Sequence, residues 1–267
     1  MKKSKMEFGM PTLIENANLE ESVMLCTELG LSFVEINMNF PQYQVDQLEN
    51  ISYIQKLAKK NGIYFTIHFD ENLNIADFNH SVANAYFETV RRVIEVAKKI
   101  QAPVLNMHMN HGIYVTLPDR KVQLYEQYNN YYMDSFRQFR MMCEELIGQE
   151  NIKISIENTD GFLPFEKQAI EYLLASDIFA LTWDIGHSHA CNNIDEPFLL
   201  QNSNKLSHFH IHDAIGTKNH LTLATGEIDL KQRLAFARDS GCRCVVETKT
   251  VDALRKSTDY LKREEYL

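Results

Sequence analysis

Eight short runs rich in β-branched and other apolar residues lie near 6–11, 32–38, 63–69, 103–109, 152–158, 179–185, 206–213 and 243–248, separated by helix-like stretches. Strands that alternate with helices are expected to run parallel, because each helix carries the chain back to the start of the next strand. Eight such units are the number that closes a barrel, and about 250 residues is the usual length of one. The chain has 267 residues, and its six prolines and ten glycines form no linker that would divide it. The expected fold is therefore α/β, a single (β/α)8 TIM barrel spanning residues 1–267. A doubly wound open sheet is the alternative, disfavoured because no GxGxxG or P-loop follows any of the runs.

Between the runs, 81–101 keeps an apolar stripe at i, i+3, i+4 spacing, and 121–147, rich in Tyr, Phe, Met and Leu, reads as another helix. Gly30, Gly62, Gly148 and Gly241 each stand between a helical pattern and the next strand, where a C-terminal glycine cap belongs. A composition 45% hydrophobic and 24% charged excludes disordered and fibrous classes. The 36 acidic residues against 27 basic ones, net charge −9, give no general attraction to nucleic acid or anionic lipid. Five cysteines without a CxxC pair indicate neither a disulfide framework nor a thiolate zinc site, and point to a reducing, cytoplasmic setting. The amino-terminal MKKSKMEFGMPTLIEN has no apolar run of signal-peptide length, and no membrane span is expected.

Side chains alternate across a strand, so each run divides into a helix-facing side and an axis-facing side. In 152–157, Ile152, Ile154 and Ile156 take the outer side and leave Lys153, Ser155 and Glu157 inside. In 206–212, Ser207, Phe209 and Ile211 are outward, while Leu206, His208, His210 and His212 are inward. The same division sends Thr66, His68, Asn106, His108, Thr182, Asp184, Val245 and Glu247 inward. A lone strand histidine is more often a hydrogen-bonded core residue than a ligand. Here the polar groups converge at or near the carboxyl ends of their strands, the face on which barrels carry active sites. Burying Glu157, Asp184 and Glu247 together costs several kcal/mol each, on the order expected for uncompensated charge, unless a cation is present. Carboxylate and imidazole donors without thiolate suit Zn, Mn, Fe or Co better than Ca, whereas Mg tolerates the carboxylates but is less at home with imidazole.

The constellation resembles the xylose isomerase-like TIM-barrel superfamily, which holds sugar isomerases and epimerases together with endonuclease IV. The carriers are His68 in FTIHFDENLN, His108 in LNMHMNHG, Glu157 in ISIENTDG, Asp184 and His187 in TWDIGHSH, His210 in HFHIHDA, His220 in KNHLTLATGEIDL and Glu247 in VVETK. By likeness to the sugar-converting members, Glu157, Asp184, His210 and Glu247 would hold one divalent metal. His187, His68, His108 and Lys249 would then face the substrate. Glu157 and Glu247, from well-separated strands, would be the acid/base pair that removes and returns a proton beside a ketose carbonyl through an enediolate. The resemblance thus implies a small-molecule sugar or polyol substrate and allows a homo-oligomer.

By likeness to endonuclease IV, His68 and His108 would join Glu157 in a second metal site, and His187 with His220 would belong to a third. The chain departs there, because Lys218 stands where that family has a metal-binding aspartate. A metal-dependent phosphodiesterase acting on abasic DNA is the alternative reading, and a barrel that binds metal and ligand without turnover is a third. His111, His189, His208 and His212 are assigned structural hydrogen bonds, and His80 a surface position at a helix start. Lys153 and Lys249 admit a Schiff-base aldolase, disfavoured because surrounding carboxylates raise a lysine pKa. The aromatic stretch 125–139 could wall a sugar site or serve helix packing. Asn110, His111, Asn158, Asp160 and Lys249 are the loop residues expected to set substrate identity.

Overall fold

The computed structural model describes residues 6–267. Eight parallel strands close into a barrel, in chain order β1 (Phe8–Pro11), β2 (Phe33–Asn37), β3 (Tyr64–His68), β4 (Val104–His108), β5 (Lys153–Glu157), β6 (Phe179–Asp184), β7 (Leu206–Ile211) and β8 (Arg243–Val246). Each strand pairs with its sequence neighbour, and the ring closes where Gly9 of β1 pairs with Val245 of β8. The outward residues Ile154, Ile156, Leu181, Trp183, Phe209 and Ile211 are fully buried under the helices, which is where the hydrophobic stabilisation of the sheet resides. Inside, Gly9 leaves room for the Phe33 ring, which a Cβ at that position would overlap. Phe33 in turn stacks on Tyr64 with centroids 5.1 Å apart and closes the barrel near its amino-terminal end.

The crossover helices follow the expected logic. The helix His80–Ile100 is capped by Asn79, whose side chain accepts from the Ser81 N–H, and it carries Lys98 and Lys99 in its last turn, where they oppose the helix dipole. Gly30 and Gly62 end their helices in the left-handed region, with φ of 77° and 65°. Gly148 ends its helix at φ 56° and ψ −117°, a backbone open essentially to glycine alone.

The stretch 121–147 is not one helix. Lys121–Gln123 pairs antiparallel with Tyr114–Thr116, because the turn closed by Leu117 N–H on the Arg120 carbonyl, at 2.8 Å, folds the chain back. A short helix Leu124–Gln127 follows, Tyr128 leaves helical geometry, and the long helix runs over Asn129–Ile147. Local turn chemistry at Pro118 and Asp119 outweighs the helical preference of the three residues that follow Arg120. The aromatic residues of 125–139 serve packing: Tyr125, Tyr132, Phe136 and Phe139 are buried against one another and against Phe165 and Phe179. Among the described residues all five cysteines are free, and no helix is long and apolar enough to cross a membrane.

Candidate metal centre and active site

Four strand ends deliver the central group. Glu157 ends β5, Asp184 ends β6, His210 is the penultimate residue of β7, and Glu247 follows β8. One ligand atom from each lies within 4.8 Å of all the others. His210 Nδ1 is 3.0 Å from Glu157 Oε1, 2.9 Å from Glu247 Oε2 and 3.9 Å from Asp184 Oδ2. Donors about 2.0–2.2 Å from one ion stand roughly 3 Å apart, which Glu157 and Glu247 match against Nδ1, while Asp184 stands farther off at 3.9 Å. Both His210 ring nitrogens and Glu247 Oε2 are buried without a well-directed protein hydrogen bond, and of these Nδ1 and Oε2 face the cluster. Buried polar atoms in proteins are rarely left so, and a cation would engage both. The donor set of three carboxylates and one imidazole fits a divalent transition metal or Mg, as the residue types imply.

The quartet is held from behind by residues that belong to no expected set. Glu35 on β2 is buried, and its Oε1 lies 2.8 Å from His210 Nε2, while its Oε2 accepts from Thr66 Oγ1 at 2.8 Å and meets His208 Nε2 at 2.9 Å. Burial would raise the Glu35 pKa, but the His210 and His208 imidazoles hold it well below the usual carboxylate range. Asp184 is fixed at both oxygens, by the His187 backbone N–H on Oδ1 at 2.6 Å and by His212 Nε2 on Oδ2 at 3.0 Å. The backbone N–H of His220 donates to His212 Nδ1 at 2.8 Å. That bond leaves Nδ1 without a proton, so Nε2–H donates to Asp184. Asn106 donates to Glu157 Oε2 and accepts from Thr182 Oγ1 at 2.6 Å, which orients its amide.

Glu35 escaped the sequence reading although its strand did not. Alternation along Phe33-Val34-Glu35-Ile36-Asn37 places Phe33, Glu35 and Asn37 on the axis side, and that carboxylate in mid-strand was the available signal. His208 and His212, expected to make structural hydrogen bonds, make them to Glu35 and Asp184; His189 pairs with Glu227. Lys153 stands at the start of β5, at the end of the strand opposite Glu157, with its ammonium on the Asp177 carbonyl. It is a strand-start residue, because the inward side runs the full strand length and only the carboxyl end opens to the mouth. Lys249 does lie at the mouth, its Nζ 2.8 Å from Glu247 Oε1, and the carboxylates around it outweigh burial and raise its pKa.

Above the quartet opens a cavity of about 510 Å³ whose walls include His68, His108, Asp160, His187, His220 and Lys249. His68 Nε2 and His108 Nε2 each stand 3.2 Å from Glu157 Oε2. His68 Nδ1 faces the Phe69 carbonyl at 2.7 Å and must donate to it, so a neutral His68 turns an Nε2 lone pair toward Glu157. Burial alone lowers the His68 pKa, but Glu157 outweighs it and raises it to about 9. The arrangement thus wants a positive charge between ring and carboxylate, either a proton or a second ion. The remaining trio of His187, His212 and His220 is less available, since both His212 nitrogens are engaged as described. Lys218 is exposed on the hairpin Asp213–Ile215 and Lys218–Leu221 that carries His220.

A family described as xylose isomerase-like TIM barrel matches residues 23–264. An uncharacterized protein of Methanocaldococcus jannaschii is 28% identical over 213 residues, 77% of this chain and 76% of that one. Among solved structures, a D-tagatose 3-epimerase-like protein superposes with a TM-score of 0.77 at 25% identity, covering 98% of this chain and 97% of its own. The IolI protein, solved with a bound zinc atom, superposes with a TM-score of 0.73 at 15% identity over 98% and 99% of the two chains, a likeness of fold.

Proposed function

We propose that this chain, which belongs to the xylose isomerase-like TIM-barrel family, is a divalent-metal-dependent sugar epimerase or isomerase acting on an uncharged ketose or related polyol ketone. The observation that carries the reading is the convergence of Glu157, Asp184, His210 and Glu247, one donor atom each within 4.8 Å, beneath a polar cavity of about 510 Å³. A bound divalent cation would polarise a ketose carbonyl and stabilise the negative charge that develops when the neighbouring C–H bond ionises.

The chain's own groups divide the remaining work. Glu157 ends β5, Glu247 follows β8, and both border the cavity, which suits one to remove a proton and the other to return it on the opposite face of a planar enediolate. For Glu247, burial opposes ionisation, but Lys249 and His210 outweigh it and hold the carboxyl well below its usual range. It is therefore ionised at neutral pH and able to accept a proton. His187 and His220 stand above Asp184 and Glu247 and are suited to orient the substrate hydroxyls.

The charge of the cavity supports a neutral substrate. Glu71 and Asp160 line it, whereas Lys249, the one lysine or arginine among its described lining residues, is already paired with Glu247. A phosphate would meet acidic walls without a basic clamp. The test is to incubate protein loaded with Mn, Co or Zn with D-fructose, D-tagatose and D-allulose, and to follow product sugars by NMR with chelator-treated protein as control. A metal-dependent epimer or aldose product supports the reading; no conversion of any of them, with metal-dependent nicking of abasic DNA, replaces it with the phosphodiesterase.

A further inference from the structure

Outside the metal quartet, three ionisable residues form a chain that runs from the interior to the cavity wall. Glu166, in the first turn of the helix Pro164–Leu174, has a fully buried side chain. Its Oε1 lies 2.8 Å from His111 Nδ1, and its Oε2 accepts the Leu163 N–H at 2.9 Å. His111 Nε2 reaches Asp160 Oδ1 at 2.5 Å, and Asp160 lines the cavity with its side chain 69% exposed. Because both ring nitrogens of His111 face carboxylates, both must donate, and the ring is an imidazolium.

The loop that carries His111 is itself fixed. Gly112 adopts φ 65°, accepted by few residues other than glycine, and a Cβ there would overlap the Tyr125 ring. The Asn110 side chain takes the Gly112 N–H at 2.9 Å, and Tyr125 is buried with its hydroxyl on Asn74. On the other side, Thr159 Oγ1 also donates to Asp160 Oδ1, at 3.1 Å. All these bonds fall on Oδ1 and leave Oδ2 without a protein hydrogen bond.

The trio contributes only modestly to stability. An ion pair to an exposed carboxylate contributes little, and burying Glu166 to build it is costly. It is a good device for preorganisation, because an exposed aspartate normally rotates freely, and one locked in place loses no further entropy when a ligand binds. We infer that Asp160, held by His111 and Glu166, is the residue that receives a hydroxyl of the sugar on its free Oδ2. His111 and Glu166 act as positioning residues. A carboxylate with one free oxygen and a fixed plane accepts hydroxyl donors and repels phosphate or carboxylate substituents. The proposal rests on the reading of the cavity as a ketose site and assigns the specificity within it.

The test uses metal-loaded full-length protein and D-tagatose, D-fructose and D-allulose as probes, with equilibrium binding measured separately from turnover. Asp160→Asn should weaken sugar binding by about 10- to 100-fold, the scale of a lost charged hydrogen bond. His111→Gln should weaken it by about 3- to 10-fold, with KM rising more than kcat falls, and both variants should keep the wild-type metal affinity. Sugar affinities unchanged in both variants overturn the inference, as does a loss of thermal stability in His111→Gln with sugar affinity intact, which would make the trio a loop fastener. Wild-type binding without turnover removes the epimerase reading and leaves this inference standing. No binding of any of the three sugars by wild-type protein overturns both.

Discussion

Glu35 Oε1 sits 2.8 Å from His210 Nε2, on the far side of the ring from Nδ1, which is 3.0 Å from Glu157 Oε1. A buried carboxylate facing Nε2 at that distance favours the ring orientation that turns Nδ1 to the cluster, the role that outer carboxylates play behind metal-binding histidines. Glu35→Gln should weaken divalent-metal affinity by about 10- to 100-fold, read by calorimetric titration of apo-protein. Unaltered affinity would make Glu35 a packing residue.

Gly186 lies under His212, and any Cβ there would overlap the imidazole ring. Gly186→Ala should therefore displace His212 from Asp184 and destabilise the fold by about 1–3 kcal/mol in urea unfolding, the usual scale for an overpacked core. Metal affinity should fall with it, because Asp184 loses the partner on Oδ2. A variant with wild-type stability would show that the helix Ile185–Ala190 gives way instead.

The His111 pair offers a pH signature that does not depend on metal. Hydrogen bonds from Asp160 and Glu166 raise the folded-state pKa of His111 to about 10, from an ordinary value near 6.5. A raised pKa stabilises the fold most fully below about pH 6.5, and that contribution fades as the pH rises toward 10. Comparing urea unfolding of wild type with His111→Asn should show a deficit of about 1–2 kcal/mol at pH 6 that shrinks by pH 10. A deficit that grows with pH would contradict the protonated ring.

A second ion is expected between His68, His108 and Glu157. The His68 Nδ1 bond to the Phe69 carbonyl points the other ring nitrogen at Glu157, and either a proton or a cation must lie between. Anomalous scattering from crystals soaked at saturating Mn or Zn should show two peaks for wild type and one for His68→Ala. A single peak in wild type would leave the imidazolium in place and make both histidines partners of the substrate.

The barrel was legible because strand and helix periods alternate along the chain, and because the outward residues of β5, β6 and β7 are apolar with few exceptions. The inward carboxylates and imidazoles were legible for the same reason, since alternation decides which side a residue takes. Glu35 was less legible because it acts from mid-strand across the barrel and not from a strand end at the mouth. The hairpin at 114–123 was missed because its residues also suit a helix and only the Pro118 turn decides between them. The trio joins the His111 loop to Asp160 and to the helix residue Glu166, both more than 45 residues further along the sequence, and no local pattern announces such a contact.

The measurement closest to the central claim is exchange of solvent deuterium into the carbon beside the ketose carbonyl. Metal-loaded wild type in deuterated water should label D-fructose, D-tagatose or D-allulose at that carbon, and chelator should stop it. Glu247→Gln should lose at least about 100-fold, the lower range for a general acid/base, while retaining its fold by circular dichroism. Label that persists at the wild-type rate in Glu247→Gln, or that fails to appear with any of the three sugars in the metal-loaded wild type, would contradict the account.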